Sequence, residues 1–348
     1  MKAMVVRAPG GPDALVAEEI PPPALRRNDV RIRVAACGVC FHDIVTRNGT
    51  LRRGVTMPLI PGHEVSGVVE SVGPGVTGFR PGDRVAAAQR RHICGHCRFC
   101  RGGRETSCRE QEFLGDAGLN GGYAEFVCVE EDNLVAVPDG VALQDAAIVA
   151  CAIGTELNAI RDVARLREGE RALITGAGGG LGIHGVRLAH LAGAEVVAVT
   201  GSMAKRAALL EAGADHVVVA PHGSDFSAAV REATGGEGVD VAIDNVGSDV
   251  FEATRRSLAE GARWVLVGQL SGDFVRFNPA QLFLRDIALL SARSTSRAQL
   301  ADALRLVARG AVRPVIAARL KLDQAAEAHR MVERAAPVGR ILLCPEAA

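Results

Sequence analysis

Aromatic residues and net charge are both scarce in this sequence. Phe, Trp and Tyr make up 3% of the 348 residues, with one Trp and one Tyr, so the core is predicted to be aliphatic. Lys and Arg together number 40, as do Asp and Glu, and this balance argues against a nucleic-acid-binding surface. The N-terminal run MKAMVVRAPGG has no apolar signal segment, and no uninterrupted apolar run reaches transmembrane length. We therefore expect a cytoplasmic protein that acts on a small molecule and binds neither nucleic acid nor a membrane.

The length of 348 residues predicts two domains, and the pattern along the chain changes near residue 152. Before this point, β-branched runs bounded by Gly and Pro predict the short strands of a β-rich domain, namely VRIRVAACGV, GVVESVGPGV, GDRVAAA and GYAEFVCV. After it, strands such as RALITG and AEVVAVT alternate with helices such as AKRAALLEAGA. This alternation predicts βαβ units and a doubly wound parallel sheet, and therefore an α/β protein.

The last part of the chain departs from this alternation. It contains a helix (AQLADALRLVARG), a Pro-bearing strand (VRPVIAARL), another helix and a final strand (GRILLCP). We expect this tail to return to the first domain. The predicted β-rich domain is therefore 1–151 with 292–348, and the predicted parallel-sheet domain is 152–291.

Four cysteines lie close together in the run ICGHCRFCRGGRETSC: Cys94, Cys97, Cys100 and Cys108. A tetrahedral zinc ion needs four donors that converge on one point, and short Cys-x-x-Cys steps supply them within one loop. Disulfides and free core thiols are the alternatives, and disulfides are disfavoured in a reducing compartment. The spacing predicts a structural zinc site.

A glycine-rich loop follows the strand RALITG and opens an amphipathic helix. Gly allows a tight turn and close approach to a pyrophosphate, and the helix N-terminus offers free N–H groups. The alternative is an ordinary tight strand–helix turn, since Leu181 occupies the third position of a strict G-x-G-x-x-G. The position of the loop favours dinucleotide binding. Its candidate residues are Gly176, Gly178, Gly179, Gly180, Leu181 and Gly182.

The end of the second strand of this domain distinguishes between two cofactors. NAD-binding sites usually carry an acidic residue there, which bonds the ribose hydroxyls. This chain instead has Thr200 and Ser202, followed by Lys205 and Arg206. Hydroxyls and cations suit a 2′-phosphate, so we predict NADP(H) in preference to NAD(H). The alternative is that both cations are ordinary solvent-facing residues of a helix start.

A second group of metal-ligating residues is dispersed along the chain. Cys40 lies in CGVCFHD, His63 and Glu64 in PGHE, and Cys151 in ACAIGT. Taken singly, Cys151 is also compatible with a small buried side chain and His63 with a satisfied loop histidine. Spacing alone does not bring these residues together.

These motifs in combination resemble the zinc-containing medium-chain dehydrogenases/reductases, the alcohol dehydrogenase superfamily. The resemblance covers essentially the whole chain. It rests on CGVCFHD, PGHE, the four-cysteine lobe, the cysteine before the nucleotide domain, GAGGGLG and GRILL. The sequence of the run GIHGVRLAHLAGAEVVAVT resembles the branch of quinone reductases and acryloyl-CoA reductases.

The resemblance implies a Rossmann domain and a GroES-like catalytic domain that carries the zinc lobe at about residues 92–110. It also implies two zinc ions per chain, the second one catalytic and held by Cys40, His63 and Cys151 with Glu64 beside it. Asp43 would orient His63, since ligand histidines usually donate their other N–H to a carboxylate or carbonyl. Further cofactor contacts are implied for Thr155, Asn245, Val267 and Arg340. Family members form homodimers or homotetramers through the nucleotide domain, with the strand IALLSA as the expected edge.

The chain departs from the family at three positions near the first ligand cysteine. His42 replaces the Ser or Thr that begins a proton relay in many members, and Val45 replaces a further relay histidine. Imidazole carries protons near neutral pH, so His42 is either an altered relay or part of the pocket wall. Phe41 stands where some members place a basic residue near the cofactor phosphates, a role that Arg340 is expected to fill.

The leading hypothesis is a zinc-dependent oxidoreductase that transfers a hydride between NADP(H) and an alcohol, aldehyde or ketone held at the zinc. The alternative on the same fold is an NADPH-dependent reductase of activated C=C bonds, of the enoyl-CoA or quinone type. A third hypothesis, a nucleotide-sensing protein without turnover, has no support in the sequence.

Overall fold

The chain forms two compact units, Met1–Gly154 with Ser294–Ala348 and Thr155–Arg293. A computed structural model describes residues 1–50, 55–116, 118–336 and 338–345. None of the helices in these ranges has both the length and the apolar character that a membrane span requires.

The two units contain strands and α-helices with the following bounds along the chain. The strands are β1 (Lys2–Val6), β2 (Leu15–Glu19), β3 (Asp29–Val39), β4 (Glu64–Val72), β5 (Arg84–Ala87), β6 (Arg90–His92), β7 (Glu112–Phe113), β8 (Phe126–Glu130), β9 (Leu134–Ala136), β10 (Arg171–Ile174), β11 (Glu195–Thr200), β12 (His216–Val219), β13 (Val239–Asp244), β14 (Leu258–Leu266), β15 (Ala288–Ser291), β16 (Ile316–Lys321) and β17 (Arg340–Cys344). The α-helices are α1 (Phe41–Arg47), α2 (Arg98–Arg101), α3 (Gly154–Leu157), α4 (Gly182–Leu191), α5 (Arg206–Ala212), α6 (Ser227–Ala233), α7 (Phe251–Ser257), α8 (Ala280–Phe283), α9 (Arg297–Ala308) and α10 (Ala325–Glu333).

The first unit is built on a sheet with β3 near its centre. The strand order is β16-β17-β3-β4-β5-β9, and β8 also pairs with β3. Only β16 and β17 run parallel among these neighbours. Aliphatic side chains such as Val30, Ile32 and Val34 of β3 are fully or almost fully buried, as the low aromatic content predicts. The Pro of the predicted strand VRPVIAARL, Pro314, precedes β16, because proline lacks the N–H that strand pairing requires.

The register of three strands explains how distant residues meet in this unit. Gly38 pairs with Glu64 between β3 and β4, and Val39 pairs with Ile341 between β3 and β17. The end of β3 therefore lies beside the start of β4 and the start of β17. The residues that adjoin these strand ends are brought to one edge of the sheet.

The second unit is a parallel sheet of order β12-β11-β10-β13-β14-β15. Every neighbouring pair in it is parallel. This is the doubly wound order in which ligands bind outside the carboxyl ends of the strands, where the strand order reverses. The reversal lies between β10 and β13. The predicted α/β fold, with a doubly wound parallel sheet and a β-rich partner, is confirmed.

Candidate metal centres and cofactor loop

The dispersed candidates Cys40, His63, Glu64 and Cys151 converge in the first unit. One ligand atom from each lies within 4.8 Å of those of the other three, and all four residues are buried. Cys40 directly follows β3, and His63 directly precedes β4. Cys151 lies in a π-helical turn, Val149–Ile153, an irregularity that is frequent at functional sites.

Asp43 contacts both His63 and the backbone of Cys40. His63 Nδ1 lies 3.3 Å from Asp43 Oδ1, and His63 Nε2 lies 3.8 Å from Glu64 Oε1 on the cluster side. Asp43 Oδ2 accepts a hydrogen bond from the backbone N–H of Cys40 at 2.8 Å. The carboxylate therefore fixes both the imidazole and the start of α1.

Arg340 enters the same cluster from β17. Its Nη2 lies 2.7 Å from Glu64 Oε1, its Nε donates to Glu64 Oε2 at 3.1 Å, and its Nη2 contacts Cys151 Sγ at 3.5 Å. Gly38 makes room for this pair, since a Cβ there would lie 2.1 Å from Glu64 Oε2. The resemblance placed Arg340 at the cofactor phosphates. The structure places its guanidinium against Glu64, and Arg340 as a whole is 5% exposed.

The charges of the cluster shift the pKa values of its members. The thiol of Cys151, together with Arg340 and His63, lowers the pKa of Cys40 well below its usual value despite its burial. Burial raises the pKa of Glu64 to about 7, although the positive charge of Arg340 opposes this. Cys40 is therefore readily ionised, which is the form that binds a metal.

This donor set fits zinc. Two thiolates and an imidazole are the ligand types that zinc prefers, and catalytic sites use three protein ligands plus an open position. Because Arg340 engages both oxygens of Glu64, the three donors left for an ion are Cys40, His63 and Cys151.

His42 stands next to the cluster but outside it. Its ring centroid lies 5.3 Å from that of His63 and 5.5 Å from that of Phe113. Its Nε2 lies 3.4 Å from Asp116 Oδ2, and its side chain is 31% exposed. His42 thus contributes to the wall beside His63, and its relay role stays a prediction.

The four lobe cysteines form a separate cluster. One ligand atom from each of Cys94, Cys97, Cys100 and Cys108 lies within 4.8 Å of those of the others. Backbone N–H groups donate to two of the sulfurs, from Cys97 to Cys94 Sγ at 3.4 Å and from Cys100 to Cys97 Sγ at 3.5 Å. The latter bond contributes most to lowering the pKa of Cys97 to about 6. A set of four converging thiols fits a closed structural zinc site.

The glycine loop lies in the second unit between β10 and α4. Gly176 has a φ of 58°, a left-handed conformation that suits glycine. Within the loop, the N–H of Gly179 donates to Gly176 O at 2.9 Å. The N–H of Ala177 donates to Val199 O of β11 at 3.0 Å and so connects the loop to that strand. Leu181 immediately precedes α4, which begins at Gly182. The loop therefore occupies the carboxyl end of β10, where a dinucleotide binds in this topology.

The two cations after β11 have different environments. Lys205 is 8% exposed, and its Nζ donates to Gly178 O at 3.3 Å. Burial lowers its pKa. Arg206, in contrast, is exposed at the first position of α5. Thr200 is buried at the end of β11, and its hydroxyl accepts from the N–H of Ser202 at 3.4 Å. Lys205 therefore packs on the glycine loop, and Arg206 and Ser202 remain the candidates for a phosphate contact.

A buried carboxylate that sequence reasoning missed organises the neighbouring strand ends. Asp244 Oδ1 accepts from Thr175 Oγ1 at 2.9 Å, and Asp244 Oδ2 accepts from Trp264 Nε1 at 3.3 Å. The backbone N–H of Asn245 donates to Thr175 Oγ1 at 3.0 Å, and the N–H of Val267 donates to Asp244 O at 2.8 Å. The predicted cofactor residues Asn245 and Val267 thus adjoin the carboxyl ends of β13 and β14. Thr155, also predicted, is buried in the same unit.

Glu156 is a second residue that sequence reasoning missed. It is fully buried, and neither carboxyl oxygen has a hydrogen-bond partner among the described residues. It lies against α4, where a Cβ on Gly185 would come within 2.7 Å of its Oε2. Burial raises its pKa to about 7. The signal available in the sequence was one acidic residue within the apolar run AIGTELNAI.

We expect Glu156→Gln to stabilise the protein in a pH-dependent manner. In the unfolded chain the carboxyl ionises near pH 4.5, whereas in the folded chain it ionises near 7. The free energy of unfolding of the wild type therefore falls by about 3 kcal/mol as pH rises between these values. Glutamine does not ionise, so the variant avoids this loss. The difference in Tm between variant and wild type should grow from pH 5 to pH 8. An equal difference at both pH values would show that Glu156 is not held protonated by the fold.

Comparison with known proteins identifies similar sequences and structures over the whole chain. Residues 26–139 match the family described as alcohol dehydrogenase GroES-like domain, and residues 180–309 match zinc-binding dehydrogenase. The chain is 35% identical to an acryloyl-coenzyme A reductase of Metallosphaera sedula, with 99% of both chains covered.

Two solved structures are similar as well. The crystal structure of AibC has a TM-score of 0.91 and 43% identity, covering 100% of this chain and 96% of that one. The structure of an NAD-dependent alcohol dehydrogenase has a TM-score of 0.92 and 33% identity, covering 99% and 100%.

Proposed function

Since this chain belongs to the zinc-binding dehydrogenases, oxidoreductases with an alcohol dehydrogenase GroES-like domain, we propose that it interconverts alcohols with aldehydes or ketones. In the reducing direction the carbonyl carbon gains a hydride from the nicotinamide, the oxygen gains a proton, and the cofactor is oxidised. When bound, zinc polarises a carbonyl oxygen or acidifies an alcohol hydroxyl.

One observation carries this proposal: Arg340 holds Glu64 within the cluster of Cys40, His63 and Cys151. A fourth ligand from the protein would close the site and leave no position for substrate. The guanidinium instead binds the carboxylate and compensates its negative charge. Three donors with an open position suit catalysis better than a purely structural role.

The test is NADPH oxidation, with NADH as control, against aldehydes, ketones, enones and enoyl-CoA thioesters. We expect aldehydes or ketones to be reduced, and the rate to fall when a chelator removes the zinc of the Cys40 cluster. Unchanged rates after loss of that zinc would contradict the proposal.

The second candidate function is reduction of an activated C=C bond, and the similarity to an acryloyl-coenzyme A reductase favours it. Here the β-carbon gains the hydride and the α-carbon gains the proton. An enoyl thioester is already electrophilic at its β-carbon, so this reaction does not require the open metal position. Turnover of only the C=C substrates in the same panel would establish it.

We further propose NADP(H) as the cofactor, because TGSMAKR at the end of β11 has no carboxylate and presents Arg206 to solvent. Arg206→Ala is expected to raise KM for NADPH about tenfold, the effect of losing one charged hydrogen bond. KM for NADH should change little, and Arg206→Lys should keep most of the affinity. Equal KM changes for both cofactors, or a wild type that prefers NADH, would contradict this assignment.

A second copy of the chain is the proposed partner. The edge strand β15 and the segment before it expose large apolar side chains, with Phe283 65%, Leu284 74% and Leu289 37% exposed. Such a surface beside a strand edge that pairs with no further described strand favours pairing between copies. We therefore propose a homodimer through this edge, or a tetramer built from such dimers.

Leu289→Asp is expected to weaken this dimer at least about a hundredfold, because a symmetric interface receives the buried charge twice. Light scattering coupled to size exclusion measures the change. The control is Val16→Asp, a 50% exposed position in β2 of the other unit. A wild type that is monomeric at high concentration would refute the interface.

A further inference from the structure

Behind the metal cluster, Asp43 is the first member of a longer line of buried polar groups. Its two oxygens receive contacts from the backbone N–H groups of Cys40 and Gly62, at 2.8 and 3.2 Å, and from His63 Nδ1 at 3.3 Å. The hydroxyl of Tyr123 donates to Asp43 Oδ2 at 3.3 Å. Tyr123 is the single tyrosine of the chain and is fully buried.

The line continues from Tyr123 towards the surface. Tyr123 Oη lies 3.0 Å from His329 Nε2, and His329 Nδ1 lies 3.0 Å from Arg47 Nη1. Arg47 also donates to Gly10 O at 3.0 Å and to Glu333 Oε1 at 2.5 Å. His329 and Arg47 are 0% and 1% exposed, whereas the Glu333 side chain is 32% exposed. All of these residues belong to the first unit.

Donor and acceptor chemistry gives this line a single direction. A guanidinium only donates, so His329 Nδ1 must accept, and the imidazole must carry its proton on Nε2. That proton points to the Tyr123 oxygen, which leaves the phenolic hydrogen for Asp43. Burial lowers the pKa of His329 to about 4 and raises that of Tyr123, so both groups stay in the neutral forms that this order requires.

We propose that Arg47, His329 and Tyr123 are positioning residues that fix Asp43 and, through it, the tautomer and orientation of His63 as a zinc ligand. We name the four hydrogen-bonded residues Arg47, His329, Tyr123 and Asp43 the Arg47–Asp43 chain. Asp43 Oδ2 accepts from the N–H of Cys40 and the hydroxyl of Tyr123, so Oδ1, which accepts from the N–H of Gly62, is the oxygen left to face Nδ1 of His63. The lone pair of Nε2 is thereby directed to the cluster side.

This inference rests on the proposed function only in taking the Cys40 cluster as a zinc site. Packing alone does not require polar side chains at these buried positions. Tyr123, His329 and Arg47 are polar side chains in a largely aliphatic unit, and burying such groups is costly unless every one is paired.

The test compares Tyr123→Phe, which removes one oxygen and keeps the ring, with Thr46→Val as control. Thr46 is fully buried in α1, and its hydroxyl has no hydrogen-bond partner among the residues described. His329→Leu removes both contacts of the imidazole. His329→Gln keeps an acceptor for Arg47 and a donor for Tyr123.

The readout is the rate at which each folded variant releases zinc to a chromophoric chelator, with the four-cysteine lobe as an internal reference. We expect Tyr123→Phe and His329→Leu to accelerate release of one zinc about tenfold to a hundredfold, as removal of such supporting partners usually does. Release of the lobe zinc should be unchanged. His329→Gln and Thr46→Val should release zinc at close to the wild-type rate.

Cobalt substitution supplies a second measurement, because the visible absorption of cobalt at the Cys40 cluster reports the ligand geometry. Wild-type rates and spectra in Tyr123→Phe and His329→Leu would overturn the proposal, as would equal acceleration by Thr46→Val. If Tyr123→Phe does not fold, the Leu and Gln variants of His329 decide alone. Wild-type turnover that persists without the cluster zinc would refute the proposed function. The zinc release rates would still test the role of the Arg47–Asp43 chain.

Discussion

Replacement of His63 by alanine is expected to lower kcat/KM for aldehydes by at least about a thousandfold while the protein stays folded. His63 is one of three donors that remain for an ion once Arg340 engages Glu64. Loss of the polarising ion removes several kcal/mol of transition-state stabilisation, and each 1.4 kcal/mol is about tenfold in rate. The same variant should bind one zinc per chain where the wild type binds two.

The measurement pairs steady-state kinetics with zinc analysis of the same sample. His222→Ala is the matched control, because the His222 side chain is 83% exposed in the second unit and lies in neither cluster. Cys40→Ala should repeat the result for His63→Ala. A His63→Ala enzyme that keeps its aldehyde activity with one zinc would show that carbonyl reduction does not depend on the cluster zinc, and would contradict the proposed function.

Sequence patterns carry the most information where the groups that act together are also close in sequence. The four lobe cysteines lie within one short run, so their spacing alone predicts a common centre, and the glycine loop is likewise bounded by its own strand and helix. The parallel sheet followed from the alternation of strands and helices, because that pattern has few topological solutions. These parts of the structure depend on neighbours in sequence.

The cluster of Cys40, His63, Glu64 and Cys151 depends on non-local pairing, which spacing does not encode. Its members meet because β3 pairs with β4 at Gly38 and Glu64, and with β17 at Val39 and Ile341. The motif resemblance identified Cys40 and Glu64. It did not identify Arg340 as the partner of Glu64, because that contact depends on the register of β17 and β4 on either side of β3. Glu156 was missed for a related reason, since the burial of its carboxyl depends on the absence of a side chain at Gly185.

Cys97→Ser is expected to unfold the lobe of Cys94 to Cys108 and to destabilise the first unit. The lobe contains the short helix α2 and one 3-10 turn, Glu105–Ser107, and has few buried side chains, so converging thiols are its main source of local order. Structural zinc contributes about 10–16 kcal/mol to the folding of small zinc peptides, and even a third of that would lower Tm by about 10 °C in a unit of this size.

Trypsin gives the sharpest measurement, because the lobe carries exposed arginines at Arg98, Arg101, Arg104 and Arg109. In the wild type the zinc-held backbone should resist cleavage there, and in Cys97→Ser cleavage at these arginines should become the fastest event. Cys128→Ser serves as control, since Cys128 is a buried thiol of the same unit that belongs to neither cluster. Because the lobe cysteines form a cluster separate from that of Cys40, carbonyl specificity should not change in any Cys97→Ser protein that stays folded. A soluble Cys97→Ser variant with two zinc ions, an unchanged Tm and wild-type resistance to trypsin would refute the structural zinc site.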